Sequence, residues 1–529
     1  LFVGAAAITL IIWQDYGVTW DERVHIDYGD ALFDYYATLG ADTRAVTHGD
    51  RHYGPLYDFL GGALRAVSRL PPYQTMRLLG ACAGLLGGVA VLALGRLLGG
   101  PVAGFASLLA LIVTPAYVGH AFNNPKDLPF AAAYAWALWA IARVATDLPR
   151  VQLGRWVTAS VLLGAAAGVR IAGLLAWCYL GATCVVFGLQ SIAAGGRREL
   201  GKLLRLGLVV VGCLAGAYVL LLALWPWAAQ APLHNVRSAL TTAGNYSGWK
   251  GTTFFDGQLL TTSELPWDYL LQYLLRQLPE LVLLGATCEL LWVCRDTGRA
   301  ILRGQPLPLV RGLVVVAVFA PPAYALLRHT PVYDGMRHVL FIVPPACVAT
   351  GVVFSRMMAW AQERGRVALL AIVAMTAAGL AHPARSLVAL HPYQYIYYNW
   401  ASGGLPAAAG RWELDYYGHS YKEMHRRLAE HLWRKDPLDY VSREHVIATC
   451  GASFFHYLDD QTMGPFRIEL TRKTKRAEFF MAYTRHNCHR QARRLRAGPE
   501  LMRVERDGVL LNIVRPMGQP VPARGSRGF

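Results

Sequence analysis

Three short stretches gather the ionisable residues from which a reactive site could be built, and a fourth adds a single cation. "TWDERVH" (19–25) sets Asp21 and Glu22 side by side directly after an apolar opening run. "NNPKDLPF" (123–130) places Lys126 beside Asp127, and "PVYDGMRHV" (331–339) strings Tyr333, Asp334, Arg337 and His338 together just ahead of another apolar run. Arg170 stands alone inside "GVRIAG" (168–173). A carboxylate held at a membrane face can orient or deprotonate a hydroxyl. Arginine grips an oxyanion with two parallel N–H groups, and lysine supplies a point charge. Each residue also has a plainer use: Asp21 as a helix cap, Arg337 as a snorkelling side chain, Lys126 and Asp127 as a surface pair. Charges beside or within membrane segments are costly, however, and these converge on one side from three separate loops, which favours a shared site.

The elements that must carry them are membrane helices. The 529 residues are 54% hydrophobic and 16% charged, with 52 glycines, a composition more apolar than that of an ordinary soluble domain. Long apolar runs recur at about 1–13, 78–97, 101–119, 128–146, 156–171, 172–190, 204–225, 270–293, 312–328, 338–355 and 366–382, which predicts about eleven spans. The first run is shorter than the ~20 residues that cross hydrocarbon, so a truncated first span is expected. Arginine and lysine crowd alternate loops, at 143–155, 197–205, 295–311 and 356–366. The positive-inside rule puts those loops in the cytoplasm and 14–77, 120–127, 226–269, 329–337 and the tail outside. A formal charge of +17 would suggest nucleic acid in a soluble protein. Here it records topology, and no nucleic-acid partner is expected.

In the first outer loop (14–77), "YGPLYDFLGGALRAVSRL" reads as a helix lying in the membrane interface. The fourth (226–269) holds "NYSGWKGTTFFDGQ", a candidate mobile lid. The tail opens with "HPYQYIYYNWASGG", an aromatic segment suited to the headgroup zone, and then reads as a small α/β domain. "YKEMHRRLAEHLW" has helical spacing, "HVIATC" and "AEFFMAYT" look like strands, and "LMRVERDGVLLNIV" reads as a hairpin turning at Asp507-Gly508. Cys450 and Cys488 alone fall away from the apolar runs, and in an outer domain they are expected within bonding reach, with Cα atoms less than about 7 Å apart. The fold class expected is a polytopic α-helical membrane protein with extracytoplasmic interfacial helices and a small C-terminal α/β domain. Its division is a transmembrane module at 1–382 and an extracytoplasmic domain at 383–529.

The order of these motifs resembles the membrane glycosyltransferases of the C-type (GT-C) fold, in the branch of protein O-mannosyltransferases and the aminoarabinose transferases acting on lipid A. The matching features are "TWDERVH" after the first span, "YGPLYDFL" in the first outer loop, "NNPKDLPF" in the second, and "RHVLFIVPP" entering a late span. The likeness covers roughly residues 1–382, with histidine after the arginine where tyrosine is usual. It implies transfer of a hexose or pentose from a polyprenyl-phosphate donor to an acceptor hydroxyl at the extracytoplasmic face of the inner membrane, with inversion. In that scheme Asp21 is the base, while Arg337 and Lys126 hold the phosphate. Glu22 and Asp127 position the base, the sugar or the cations. His338, Tyr333, Asp334 and Arg170 are further donor contacts. The acceptor, whether glycan, lipid or protein, is left open.

No cofactor is expected. His48, His52 and His120 lack convincing metal-ligand spacing, and no Walker or Rossmann glycine motif occurs. Two other readings stand beside the transferase. A transporter or flippase of lipid-linked sugars would share the many spans, but it would place its charges near the midplane. An assembly subunit would leave the two acid-bearing pairs unexplained.

Overall fold

The computed structural model describes residues 1–244, 251–450, 465–470 and 477–518. Among the described residues, seven helical stretches are long and apolar enough to cross a membrane, or eight if a bent pair counts as one span. The chain is a multi-pass membrane protein. Each of the eleven apolar runs contains helix, but proline and glycine divide several of them. Phe2–Ile12 covers the first run, and Pro72–Ile112 takes in the second and part of the third. The latter is kinked where Gly99 and Gly100 leave helical geometry ahead of Pro101, Gly100 at φ +77°, a conformation that suits a residue without a Cβ. The third run breaks again at Thr114, and Pro115 starts the short helix Pro115–His120.

The expected span 270–293 is not one straight helix. Tyr269–Gln277 and Glu280–Arg303 meet at 114°, because Pro279 disfavours helical backbone at Leu278, which is extended at ψ 141°. The division between the fifth and sixth runs falls at Arg170, between Leu153–Val169 and the helical stretch Ile171–Gly195.

The helices are held by small residues and by ion pairs. A Cβ on Gly351 would lie 2.1 Å from Ser107 Oγ, so Val343–Arg364 and the kinked helix approach backbone to backbone, as membrane helices do at small residues. At the end of these helices remote from Arg337, Arg311 joins Glu289 (2.6 Å) and Asp296 (2.7 Å), and Arg356 reaches Asp296 at 3.7 Å.

The first long loop is built on Glu22–Ala37 and Leu56–Val67. They cross where a Cβ on Gly62 would lie 2.1 Å from the Gly29 carbonyl oxygen, and one on Gly29 would lie 2.3 Å from that of Asp58. His25 Nδ1 pairs with both Asp58 oxygens at 3.0 Å across the same contact.

The described part of the expected lid is not a free flap, and residues 245–250 lie outside the described residues. Strands β1 (Thr252–Phe255) and β2 (Gln258–Thr261) form a hairpin. Glu413 accepts from Thr253 Oγ1 (3.0 Å) and from the Phe254 N–H (2.9 Å), and the Tyr273 hydroxyl donates to the Phe254 carbonyl (2.7 Å).

The last apolar helix runs through Pro383 to Ala389, beyond the expected boundary at 382. The tyrosines that follow do not sit among headgroups. Tyr393, Tyr395, Tyr397 and Tyr398 are buried, while Trp400 is exposed. Their hydroxyls explain the burial: Tyr393 donates to Glu423 (2.7 Å) and Tyr398 to the Glu413 carbonyl (2.8 Å), so each ring packs inside while its polar end is satisfied.

Beyond them Ser420–Lys435 packs on a five-stranded sheet. Its strands are β3 (His445–Thr449), β4 (Phe466–Leu470), β5 (Phe479–Tyr483), β6 (Met502–Arg506) and β7 (Val509–Pro516), in the order β4-β3-β5-β7-β6. The β6–β7 hairpin turns at Asp507-Gly508, at φ +46° and +73°, the geometry that Asp-Gly favours. Cys450 and Cys488 are disulfide-bonded, with Cα atoms 6.0 Å apart.

Candidate active site

Asp21 is placed by the irregular segment 13–21, which separates the first helix from the next; the acidic pair therefore does not end the first span. Tyr16 stacks on Phe122 (4.2 Å) and its hydroxyl donates to Gln394 (3.0 Å). Arg77 donates to the Gly17 carbonyl (3.1 Å) and Lys422 to that of Tyr16 (3.0 Å). Asp21 occupies the N-cap position of Glu22–Ala37 but makes no capping hydrogen bond. Its carboxylate turns instead to the cations: Oδ2 lies 3.0 Å from Arg337 Nη1 and 3.7 Å from Lys126 Nζ.

Lys126 and Asp127 are adjacent in sequence and face different partners. Asn124 builds the turn, its Oδ1 accepting from the N–H groups of Lys126 (3.2 Å) and Asp127 (2.8 Å), an Asx arrangement. That turn starts Asp127–Ala145 and points Asp127 at Arg170, with which it pairs. Lys126 faces Asp21 and the ring of Tyr53, 5.1 Å away. Arg170 is thus no lone cation within a span. It sits in extended backbone at the break between two helices, where Gly54 comes so close that a Cβ would lie 2.5 Å from the Gly168 oxygen.

Arg337 is 2% exposed and opens the 3-10 turn Arg337–Ile342. Pro344 and Pro345 then fall in the first turn of Val343–Arg364, where their missing N–H groups cost nothing. Besides Asp21, Arg337 meets Asp334 Oδ2 (3.2 Å) and the Tyr417 hydroxyl (3.3 Å), and lies over the Tyr333 ring at 5.0 Å. Asp334 is fully buried, at φ +57° with Gly335 at +73°. This strained turn is pinned where the Gly335 N–H donates to Tyr269 (3.1 Å) and the Met336 N–H to Gln277 (3.0 Å). His338 stands edge-on to Tyr333 (4.6 Å), its Nε2 without a hydrogen-bond partner among the described residues.

Glu22 faces away from this cluster. Its Oε2 accepts from the Thr19 N–H (2.6 Å), and it lines a small cavity with Tyr57, Met76 and Asn123. The two neighbouring carboxyls are driven apart. Burial pushes Asp21 up, but Lys126, Arg337 and His25 outweigh it and hold the group well below the usual carboxylate range. Burial pushes Glu22 up to about 7 against the opposing pull of Arg77 and the Thr19 bonds.

A depressed carboxyl lends stability that is present above its unfolded pKa and lost as pH falls. A raised one lends stability that is present below its unfolded pKa and lost as pH rises through the folded value. Of this pair it is Glu22 that acts between pH 5 and 7. Glu22→Gln should therefore remove a decline of the order of a few kcal/mol, read as thermal melting in detergent. Parallel pH slopes for the two proteins would show that Glu22 does not titrate there.

The C-terminal region supplies residues that the motifs above do not contain. "RWELDYYGHSYKE" (411–423) folds as a turn around Asp415, which accepts from the N–H groups of His419 (3.0 Å) and Ser420 (3.2 Å) and from the Tyr395 hydroxyl. That turn presents Tyr417 to Arg337 and Tyr416 to His120 Nε2 (3.2 Å). Arg485 reaches Asp334 Oδ1 at 2.6 Å. Glu413 lies 4.0 Å from Arg485, and burial pushes its carboxyl up. Asp415 with Gly418 three residues on, just before a helical pattern, is the local signal of this turn.

Among the described residues no group of three or more histidine, cysteine or carboxylate side chains is arranged to hold a metal ion. His48 stacks on Tyr28, and His52 packs against Trp227.

No protein-family model matches the sequence, and no curated protein matches it. Solved structures do. The archaeal oligosaccharyltransferase AglB from Archaeoglobus fulgidus, in complex with an inhibitory peptide and a dolichol-phosphate, superposes with a TM-score of 0.52 at 11% identity, over 91% of this chain and 69% of that one. ArnT from Cupriavidus metallidurans in the apo state gives 0.49 at 13% identity over 97% of each chain, and its complex with undecaprenyl phosphate gives 0.48 at 12%. At such identities the likeness is one of fold: the chain has the C-type fold of membrane glycosyltransferases.

Proposed function

We propose that this protein is a glycosyltransferase that moves a sugar from a polyprenyl-phosphate donor to an acceptor hydroxyl, at the extracytoplasmic face of the inner membrane and with inversion. The observation that carries the reading is the Asp21–Arg337–Lys126 cluster, one carboxylate held between two cations and buried at the ends of membrane helices. The dolichol-phosphate and undecaprenyl phosphate of the two complexes above give the class of donor its precedent.

The chemistry follows from the charges. Breaking the bond between the anomeric carbon and the phosphate oxygen builds negative charge on the leaving phosphate. Arg337 and Lys126 stabilise that charge where it forms. The acceptor oxygen attacks the opposite face of an oxocarbenium-like carbon, and Asp21 takes its proton. Before donor binds, Asp21 occupies the cations itself. An arriving phosphate competes for them and frees the carboxylate. With its counter-charges shared, Asp21 becomes a stronger base, so donor binding switches on the group that activates the acceptor. His338 and Tyr333 lie next to Arg337 and would contact the sugar. Asp127 and Arg170 hold the Lys126 loop in place.

The transporter alternative calls for charges at midplane, whereas here they stand at helix ends and in loops. Purified protein offered a panel of polyprenyl-phosphate sugars, with its own membrane extract as acceptor, should transfer at least one. Hydrolysis or transport without transfer would overturn the reading. Cysteine labels at Gly195 and Gly508 should react from opposite sides of the membrane, Gly508 from outside. Labelling of both from the same side would overturn the span count and with it the placement of the site.

A further inference from the structure

Arg485 comes from the C-terminal sheet domain, in the turn Arg485–Arg493 that follows β5, three residues before the disulfide-bonded Cys488. It is 4% exposed and reaches the cluster through Asp334. Nη2 lies 2.6 Å from Asp334 Oδ1, Nη1 donates to the Tyr416 carbonyl, and the guanidinium covers the Trp20 ring at 5.7 Å. The next residue, His486, contacts the Thr252 carbonyl at 2.6 Å through Nε2 and so ties the same turn to the β1–β2 hairpin. Asp334 gives its other oxygen to Arg337 at 3.2 Å. The four side chains therefore alternate in charge: Asp21, Arg337, Asp334, Arg485.

Among the described residues, Asp334 has a guanidinium on each oxygen, Arg485 on one and Arg337 on the other. Without Arg485 the Asp334 charge would fall on Arg337, which already faces Asp21. Glu413 stands farther from Arg485, at 4.0 Å, with its Oε2 engaged by Thr253 and Phe254. We propose that Arg485 is a positioning residue for recognition of the donor phosphate. By neutralising Asp334 it leaves the Arg337 charge available, so the C-terminal domain completes a phosphate site from behind. This rests on the polyprenyl-phosphate reading above.

The test is a charge cycle on the full chain in detergent, with undecaprenyl phosphate as probe. Arg485→Gln should weaken binding on the order of tenfold or more, because Asp334 then draws on Arg337 alone. Arg485→Lys should stay within about threefold of the parent, since the charge remains. Asp334→Asn combined with Arg485→Gln should regain most of the lost affinity, which a merely structural Arg485 does not allow. Unchanged binding in Arg485→Gln, or a double variant no better than that single one, overturns the proposal. The same variants are melted without ligand, where Arg485→Gln should lower the melting temperature and the double variant restore it. If the parent binds no undecaprenyl phosphate, the donor reading fails, and with it the ligand named here. The melting cycle then decides by itself whether Arg485 neutralises Asp334: restoration supports the coupling, and additive loss overturns it.

Discussion

Asp21→Asn should lower turnover by about a hundredfold or more while leaving donor affinity unchanged or tighter. The first half is the usual worth of a positioned base. The second follows from the 3.0 Å and 3.7 Å contacts of Asp21 with Arg337 and Lys126. Asparagine keeps the shape but no longer holds the two cations, so a phosphate meets less competition. A helix-capping role predicts a nearly silent change, because asparagine caps about as well as aspartate. The carboxylate makes no capping bond, so that explanation has no contact to rest on. Single-turnover transfer rates and equilibrium binding of undecaprenyl phosphate, measured on the same preparations, separate the two quantities. Full turnover in Asp21→Asn would remove it from catalysis, and a loss of donor affinity would remove the proposed competition.

The charges at the site were legible in the sequence because each stands where charge is costly. Asp21, Lys126, Arg337 and Asp334 all border apolar runs, and the structure brings these four together. Partners were harder to read than members. Lys126 and Asp127 look like a pair, and only the Asn124 turn shows that they diverge. Arg170 looks like a cation inside a span, because the break beneath it depends on a close approach of Gly54 from a loop distant in sequence. Glu22 shares the motif with Asp21, yet helical rotation takes it to Thr19 and away from Arg337.

The tail was read correctly in its helix, its hairpin and its cysteine pair, since spacing and turn chemistry are local signals. β4 went unread. So did the contribution of Tyr417 and Arg485 to the Arg337 cluster, because a basic, soluble-looking sequence carries no mark of burial against a membrane module. The tyrosines from Tyr393 to Tyr398 misled for the same reason: an amphipathic ring suits a headgroup and a polar-lined interior equally well.

Arg337 should fail differently from Asp21, and the contrast is the sharper test of the site. Arg337→Gln removes a group that contacts Asp21, Asp334 and Tyr417 together. Affinity for undecaprenyl phosphate should fall on the order of a hundredfold, and turnover should fall as well, because the phosphate contact exists both before and during bond breaking. Two buried carboxylates also lose one of their cations, Asp21 keeping Lys126 and Asp334 keeping Arg485, so the variant should melt lower than Asp21→Asn. Lower stability alone could mimic lost binding, and Arg337→Lys distinguishes the two. Lysine keeps the charge between the acids, but it cannot offer Nη1 to Asp21 and Nη2 to Asp334 in one plane. Its melting temperature should recover most of the loss, while turnover stays well below the parent because a point charge holds the leaving phosphate in no fixed orientation. Donor affinity then moves in opposite directions across the same ion pair, tighter or unchanged for Asp21→Asn and weaker for Arg337→Gln. A single lesion in folding cannot produce that pattern. If both variants weaken binding equally, the pair is a structural clamp and the phosphate is held elsewhere.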